Sequence, residues 1–424
     1  MKGTFRSLRI PNYRLWAAGA LVSNVGSWMQ RTAQDWIILT QLAPHNATAV
    51  GISLGLQFGP HILLMPITGP LADRFNRRKI LIATQSAMGV LALALGVLVL
   101  TGVVQLWHMF VFAFLLGCVS AFDAPARQTF VGELVDDDHI SNAVGLNSSS
   151  INGARMVGPA FAGILIAVVG AGWVFVINAA SFIAVIASLL RLRLDQLYVR
   201  EHAVKARSGI IDGFRYVAKR PDLITILVMT FLVGTFAISF TITTVSMAVK
   251  VFDTTSFQFG LLTSAMATGS VTGALLSARR ERPRMEFLAF AAFMMGITWS
   301  TAAVMPQYWM YAIALLFVGM CAQSFNTTAN SAMQLWTDVP MRGRMMALFL
   351  GIMLGGQPIG GPLLGHITDV FGARQAVGVS AVAAFVAALV ALYYLMKHRR
   401  LRVRIIDGRL QVTSDPPVEG PTLA

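Results

Sequence analysis

Twelve long apolar runs, separated by short polar gaps, account for most of this chain of 424 residues. They cover residues 15–39, 49–71, 80–101, 106–126, 143–169 and 173–190, then 223–245, 259–277, 287–304, 308–329, 345–368 and 375–396. A hydrocarbon layer about 30 Å thick needs about 20 helical residues to cross it. Inside that layer a helix satisfies all of its own backbone N–H and C=O groups. Runs of this length therefore predict an all-α membrane protein with twelve transmembrane helices in two six-helix bundles.

Composition agrees. Hydrophobic residues make up 56% of the chain and charged residues 12%, with a mean hydropathy of +0.66. An average soluble domain carries about 25% charge. The placement of charge also sets an orientation. Of the 33 Lys and Arg, 29 fall in the terminal segments and in alternate gaps, Lys250 and Arg374 fall in the opposite gaps, and Arg31 and Arg155 lie inside runs. Basic residues are retained on the cytoplasmic side, so both termini are expected in the cytoplasm and the protein in the cell inner (plasma) membrane. The net charge of +14 then answers anionic lipid and calls for no nucleic acid. Cys118 and Cys321 lie inside runs and are expected as free, packed thiols. The short basic start leads directly into the first run with no small-residue cleavage site, so no removable signal peptide is expected. The tail turns from basic to rich in Pro, Ser, Asp and Glu, and its end is expected to be disordered.

The chain divides at its middle into a bundle at 1–190, a basic linker at 191–221, a second bundle at 222–396 and a tail at 397–424. A shift of 203 positions lays Phe114, Cys118, Phe122 and Ala126 on Phe317, Cys321, Phe325 and Ala329. The same shift lays Gly153, Gly158 and Pro159 on Gly356, Gly361 and Pro362. This pattern points to a duplicated six-helix unit, a plan that puts a binding site near the membrane midplane between the repeats.

The gap between the second and third runs holds Gly69, Leu71, Ala72, Asp73, Arg74, Asn76, Arg77, Arg78 and Lys79. Glycine allows close helix approach, the carboxylate of Asp73 suits a helix N-terminus or an arginine across the bundle, and Arg74, Arg77 and Arg78 suit carboxylates or lipid phosphate. Such a cluster can latch two bundles together at the cytoplasmic face. It resembles the cytoplasmic signature of the major facilitator superfamily, with Asn76 where that signature has glycine. Asn76 is expected to preserve the turn by tolerating left-handed geometry. The matching gap of the second half keeps Gly273 and a basic run, Arg279, Arg280 and Arg282, but lacks the aspartate.

In the fifth run, Gly153, Arg155, Gly158, Pro159 and Gly163 resemble the glycine–proline motif of the antiporter branches. Proline bends a helix and flanking glycines let a neighbour touch its backbone, so the segment is either a hinge or a packing surface. Residues 23–30 and 122–134 are similar to the branch of drug and siderophore exporters. The resemblance runs from the first helix to the twelfth and implies proton-driven export of a small molecule by alternating access.

Several residues carry candidate chemistry on their own account. In the first run Asn24, Ser27, Arg31 and Asp35 recur at steps of three and four, joined by Gln30 and Gln34. A stripe of this polarity cannot face lipid. Arg31 and Asp35, at i and i+4, can also neutralise each other. Arg155 lies about 18 Å into its helix with no acidic residue beside it, so it needs a protein carboxylate or an anionic cargo as partner. A cavity wall of Asn24, Ser27, Trp28, Arg31, Gln57, Arg155, Gln323 and Asn326 is expected, with Trp28 placed to stack on a flat cargo. Asp35, Asp123 and His61 are the candidates for proton coupling, and Asp123 can alternatively pair with Arg127 one turn away.

The expected function is therefore a secondary exporter of a small amphipathic molecule, coupled to protons, embedded in lipid and monomeric. Uptake or lipid flipping by the same fold is the alternative. A membrane-embedded enzyme or receptor is remote, since no zinc-binding His-Glu-x-x-His and no nucleotide loop are present, and neither cofactor nor metal is expected. Replacing Asp73 by Asn should leave expression and topology unchanged while strongly lowering transport. Wild-type flux from that variant would remove the latch role.

Overall fold

The computed structural model describes residues 5–198, 210–278, 283–338, 341–398, 402–406 and 409–413. The first six helices are α1 (Pro11–Ile37), α2 (Ala47–Arg74), α3 (Arg77–Leu100), α4 (Leu106–Glu133), α5 (Ile140–Val169) and α6 (Ala171–Leu190). A short helix, α7 (Ile210–Ala218), lies within the linker. The seventh span is broken into α8 (Pro221–Leu232) and α9 (Phe240–Ser246). After it come α10 (Ser256–Ala278), α11 (Met285–Val304) and α12 (Tyr308–Leu335). The eleventh span is again in two pieces, α13 (Arg342–Gly355) and α14 (Gln357–Val370), and α15 (Ala373–His398) completes the set. A two-stranded antiparallel hairpin, Arg402–Ile406 with Arg409–Thr413, follows. The end of the tail lies outside the described residues.

Among the described residues eleven spans are long and apolar enough to cross a membrane. The first falls short of that apolarity because of its polar stripe, and it is instead shielded by protein, with Asn24, Gln30 and Gln34 buried. Local chemistry sets the helix ends. Asn46 caps α2 by accepting from the Ala49 N–H at 3.0 Å, and Asn76 caps α3 by accepting from the Lys79 N–H at 3.1 Å. Asn76 thus corrects the expectation of a left-handed turn: its φ is −61°, in extended backbone, and its side chain supplies a cap that glycine lacks. Gly170 is the one residue between α5 and α6, at φ +90°, a conformation that side chains resist.

Within the first six spans α2 packs on α4, α3 on α6 and α1 on α5 and α6. In the last six the equivalent pairs, α10 on α12 and α11 on α15, recur. The two sets meet along two seams, α2 against α14 and α5 against α10. Both are backbone-to-backbone contacts made possible by glycine. A Cβ on Gly51 would lie 2.3 Å from the Gly361 carbonyl oxygen, and one on Gly260 would lie 2.4 Å from that of Pro159. The glycine–proline segments of the fifth and eleventh spans therefore occupy corresponding seams. Helix α5 continues through Pro159, while the eleventh span breaks at Gly356.

The break in the seventh span is sealed by two side chains. The Ser239 hydroxyl donates to the Thr235 carbonyl at 2.7 Å and approaches Gln357 Oε1 at 3.2 Å, while Gln357 Nε2 donates to the Gly234 carbonyl at 3.3 Å. Backbone groups freed by an interrupted helix at membrane depth need such partners. Gly51→Ala should lower thermal stability in detergent by about 1–3 kcal/mol, because neither backbone at the seam can retreat without separating the helices. Gly145→Ala, where a Cβ meets nothing within 4 Å, should leave it unchanged or slightly raised.

Candidate functional site

Midway along α1, Trp28 carries a guanidinium on each of two approaches. The Arg31 group lies 5.0 Å and the Arg155 group 5.4 Å from its ring centroid. Arg31 also stands 5.4 Å from the ring of Phe58 on α2, and Arg155 stands 4.9 Å from that of Phe240 on α9. Trp28, Arg31, Phe58 and Arg155 share the wall of a chamber of about 100 Å³ with Asp35, Gln57 and Gln357. Trp28, Arg31 and Asp35 reach it together because steps of three and four keep them on one helix face. Arg155 arrives from α5, and Phe240 from the opposite set of spans.

Among the described residues no carboxylate lies within ion-pair distance of either arginine. Arg31 and Asp35 act on each other electrostatically but make no contact ion pair, and neither Asp35 nor Asp123 makes one with Arg155. Both guanidinium groups lie within about 10 Å of each other through their shared ring. At an effective dielectric of about 20, like charges at that separation repel by about 1.7 kcal/mol. Cation–π contacts contribute about 0.5–2 kcal/mol each, enough to hold the arginines in place but not to neutralise them. The chamber has room for one anionic group between them.

A larger chamber of about 510 Å³ opens from the first, sharing Trp28, Arg31 and Gln57 and extending past His61 to Arg127 and Asn147 near the basic ends of α4 and α5. Asn24 and Ser27 line it as expected. Here the charges are tied. Buried Asp123 accepts from the Thr84 hydroxyl and Gln85 Nε2, both at 2.7 Å, and pairs with Arg127 at 2.8 Å. Arg127 in turn donates to Asn24 Oδ1 at 2.9 Å. His61 Nε2 lies 3.1 Å from the Ser120 hydroxyl, and its ring is otherwise largely buried. Two residues expected in the wall are elsewhere: Gln323 donates to Thr327 on its own helix at 3.2 Å, and neither it nor Asn326 lines these chambers.

Of the glycines in the fifth span, Gly158 lies against α1, where a Cβ would come 2.7 Å from that of Trp28. Gly163 lies against Ser256 across the seam, and Gly153 faces open space. At the basic face Arg77 pairs with Glu133, within the first six spans rather than across the seam. Arg78 Nε donates to the Leu189 carbonyl at 2.7 Å, which caps the end of α6. The side chains of Gly69, Asp73 and Arg74, and the loop 279–282, lie outside the described residues. Sequence reasoning missed Phe58, Phe240 and Gln357. The first two are apolar residues in apolar helices and carry no local signal, while the Gly–Pro break expected in the eleventh span does not by itself single out the side chain of Gln357.

The family model described as transmembrane secretion effector matches residues 2–411. The chain is 25% identical over 390 residues to the staphyloferrin A transporter of Staphylococcus aureus, covering 91% of this chain and 96% of that one. It is 23% identical over 377 residues to the enterobactin exporter EntS of Escherichia coli O1:K1, covering 85% and 87%. Among solved structures, it superposes with a TM-score of 0.73 and 15% identity on an inward-facing bacterial homologue of the human lysosomal transporter Spinster, covering 90% and 97%. A POT family transporter in complex with 5-aminolevulinic acid gives 0.74 and 11%, covering 90% and 95%. These likenesses establish the fold.

Asp123 holds three partners in place, so Asp123→Asn should lower stability by about 1.5–3 kcal/mol, read from thermal unfolding in detergent. Cargo affinity of the folded fraction should stay within about threefold of wild type, a difference below about 0.7 kcal/mol. A stable variant that loses proton coupling would instead assign Asp123 to the proton path.

Proposed function

This chain belongs to the transmembrane secretion effector family of the major facilitator superfamily, and from that premise we propose that it exports a small amphipathic molecule, siderophore-like or drug-like, with an anionic or neutral polar end. It is a multi-pass transporter related to siderophore transporters. The observation that carries the reading is the pair Arg31 and Arg155 on Trp28, with no carboxylate in ion-pair contact with either among the described residues. With Asp35 the only acidic residue in the deep chamber wall, the formal balance there is plus one if all three are ionised. A cationic cargo would add to the repulsion. An anion held about 4 Å from a guanidinium at a dielectric of about 20 gains about 4 kcal/mol per contact before its desolvation, and arginine offers it two parallel donors.

In this reading the basic face is cytoplasmic and the cargo enters through the larger chamber. Its polar end passes Asn24 and His61 to the arginines, while its apolar part lies against Trp28, Phe58 and Phe240. Proton movement through Asp35 or His61, the acidic and imidazole groups of the chambers that hold no ion pair among the described residues, drives the return of the carrier, and the motif at Asp73 to Arg78 latches the cytoplasmic side when that side closes. The molecule works as a monomer. No reaction is catalysed.

Proteoliposomes with an imposed pH gradient test this, using carboxyfluorescein as an anionic aromatic probe beside neutral and cationic dyes of similar size. Arg155→Ala should lose at least about tenfold in flux of the anion while sparing the neutral dye, and Arg155→Lys should rescue it only in part. A protonophore should abolish the flux. Restoration of unchanged selectivity by Arg155→Asp with Asp35→Arg would show that Arg155 serves an internal pair. Flux indifferent to the protonophore would reject proton antiport.

A further inference from the structure

The end of the bundle opposite the termini is closed around one carboxylate. Asp369, in the last turn of α14, reaches across the seam to the first two residues of α2. Its Oδ1 accepts from the Ala47 N–H at 2.8 Å, and its Oδ2 accepts from the Thr48 N–H at 2.8 Å and the Thr48 hydroxyl at 2.6 Å. Lys250, at the end of the seventh span, donates to Oδ1 at 2.7 Å. The first N–H groups of a helix have no partner within it and carry the positive end of its dipole. Asn46 satisfies the third of them, on Ala49, and Asp369 satisfies the first two from the other set of spans. It is a helix cap supplied in trans.

Among the described residues, the one other hydrogen bond between the two sets of spans is from the Ser256 hydroxyl to the Gly163 carbonyl, 3.3 Å, at the same end. No ion pair crosses between the sets at the basic face among the described residues. Glycine packing at Gly51 and Gly365 brings the backbones close enough for these contacts to form. Helix packing alone is reversible and weakly directional; a carboxylate with four donors is neither. Opening this end must strip the three α2 donors from Asp369, leaving it only Lys250 of its own set, and re-expose the start of α2.

We propose that Asp369 is the gating residue of this face: it holds the far end shut while the basic end is open, and its release is the step that admits the outward-open state. Thr48 and Lys250 are positioning residues that complete its shell. The proposal rests on the alternating-access reading for its place in a cycle, but its test needs no cargo, so the two can fail separately.

The full-length protein, with Cys118 and Cys321 replaced by Ser, is placed in lipid nanodiscs and spin-labelled in pairs. Val103 and Val304 report the far face; Leu194 and Leu335 report the basic face; all four are more than half exposed. In Asp369→Asn the far-face pair should gain a longer-distance population and the basic-face pair a shorter one, with the open-to-closed ratio at the far face raised at least about tenfold. Thr48→Val and Lys250→Gln should each raise it by about two- to fivefold, and Asp369→Glu should stay nearer wild type than Asp369→Asn. Exchanging the charges, Lys250→Asp with Asp369→Lys, should fail to reclose the face, because a cation then meets the positive helix end. Reclosure by that exchange would overturn the capping assignment in favour of a simple ion pair. Unchanged distances in Asp369→Asn, or in Thr48→Val and Lys250→Gln if that variant does not fold, would overturn the gate. A shifted equilibrium with no transport of any probe would leave the gate standing and remove the cargo reading alone.

Discussion

A polar group in the middle of this chain has no water to fall back on, and that constraint organises the molecule. Backbone groups answer it by forming helices. Where a helix breaks, as at Ser239, another element must supply the missing partner, and Gln357 does so from the break in the eleventh span. The two interruptions therefore lie side by side and form part of the wall of the deep chamber. Polar side chains obey the same rule. Asp123 is buried with Thr84, Gln85 and Arg127 around it, and Asn178 donates to Gln30 at 2.5 Å between α6 and α1. Each of these groups has traded solvent for a fixed partner, which makes the first bundle stiff around its chamber.

Against that background the arginines on Trp28 stand out. Aromatic faces hold them, but a quadrupole does not cancel a charge as a carboxylate does. In the chamber two charges are met by aromatic faces and not by a carboxylate in contact, and that is what a binding site offers to an anionic ligand. The seam has the complementary design. Its glycines remove side chains so that two backbones touch, which gives a surface free to part, and among the described residues the directional contacts lie at one end, around Asp369. Stiff bundles, a separable seam and an unbalanced chamber between them are the parts that alternating exposure requires.

The fold was legible in the sequence because the driving pattern is coarse. Length and apolarity of a run are enough to specify a membrane helix, and the repeat at a shift of 203 positions was confined to the helices that build the seam and its neighbours. The site was legible only in part. Trp28, Arg31, Asp35 and Arg155 could be found because charge and indole inside a membrane helix are conspicuous. Phe58 and Phe240 could not, since an aromatic residue in an apolar helix looks the same whether it faces lipid, core or cavity. Gln323 and Asn326 lie away from these two chambers: polar residues on a helix that packs closely can be satisfied locally, as Gln323 is by Thr327 one turn away.

By itself, then, the sequence determined the membrane environment, the helices, the basic face and the candidate charges, because each depends on residue type and spacing along one helix. Tertiary structure decided which charges are paired. Asp123 became a structural hub and Arg31 and Asp35 remained apart, outcomes set by side chains arriving from helices distant in the chain. It also decided the role of Asp369, an ordinary residue near the end of an apolar run until α14 lies against the start of α2. Contacts across the seam join residues more than 300 positions apart. No local pattern can announce such a contact, since it exists only when two helices, each specified separately, come to lie end to face.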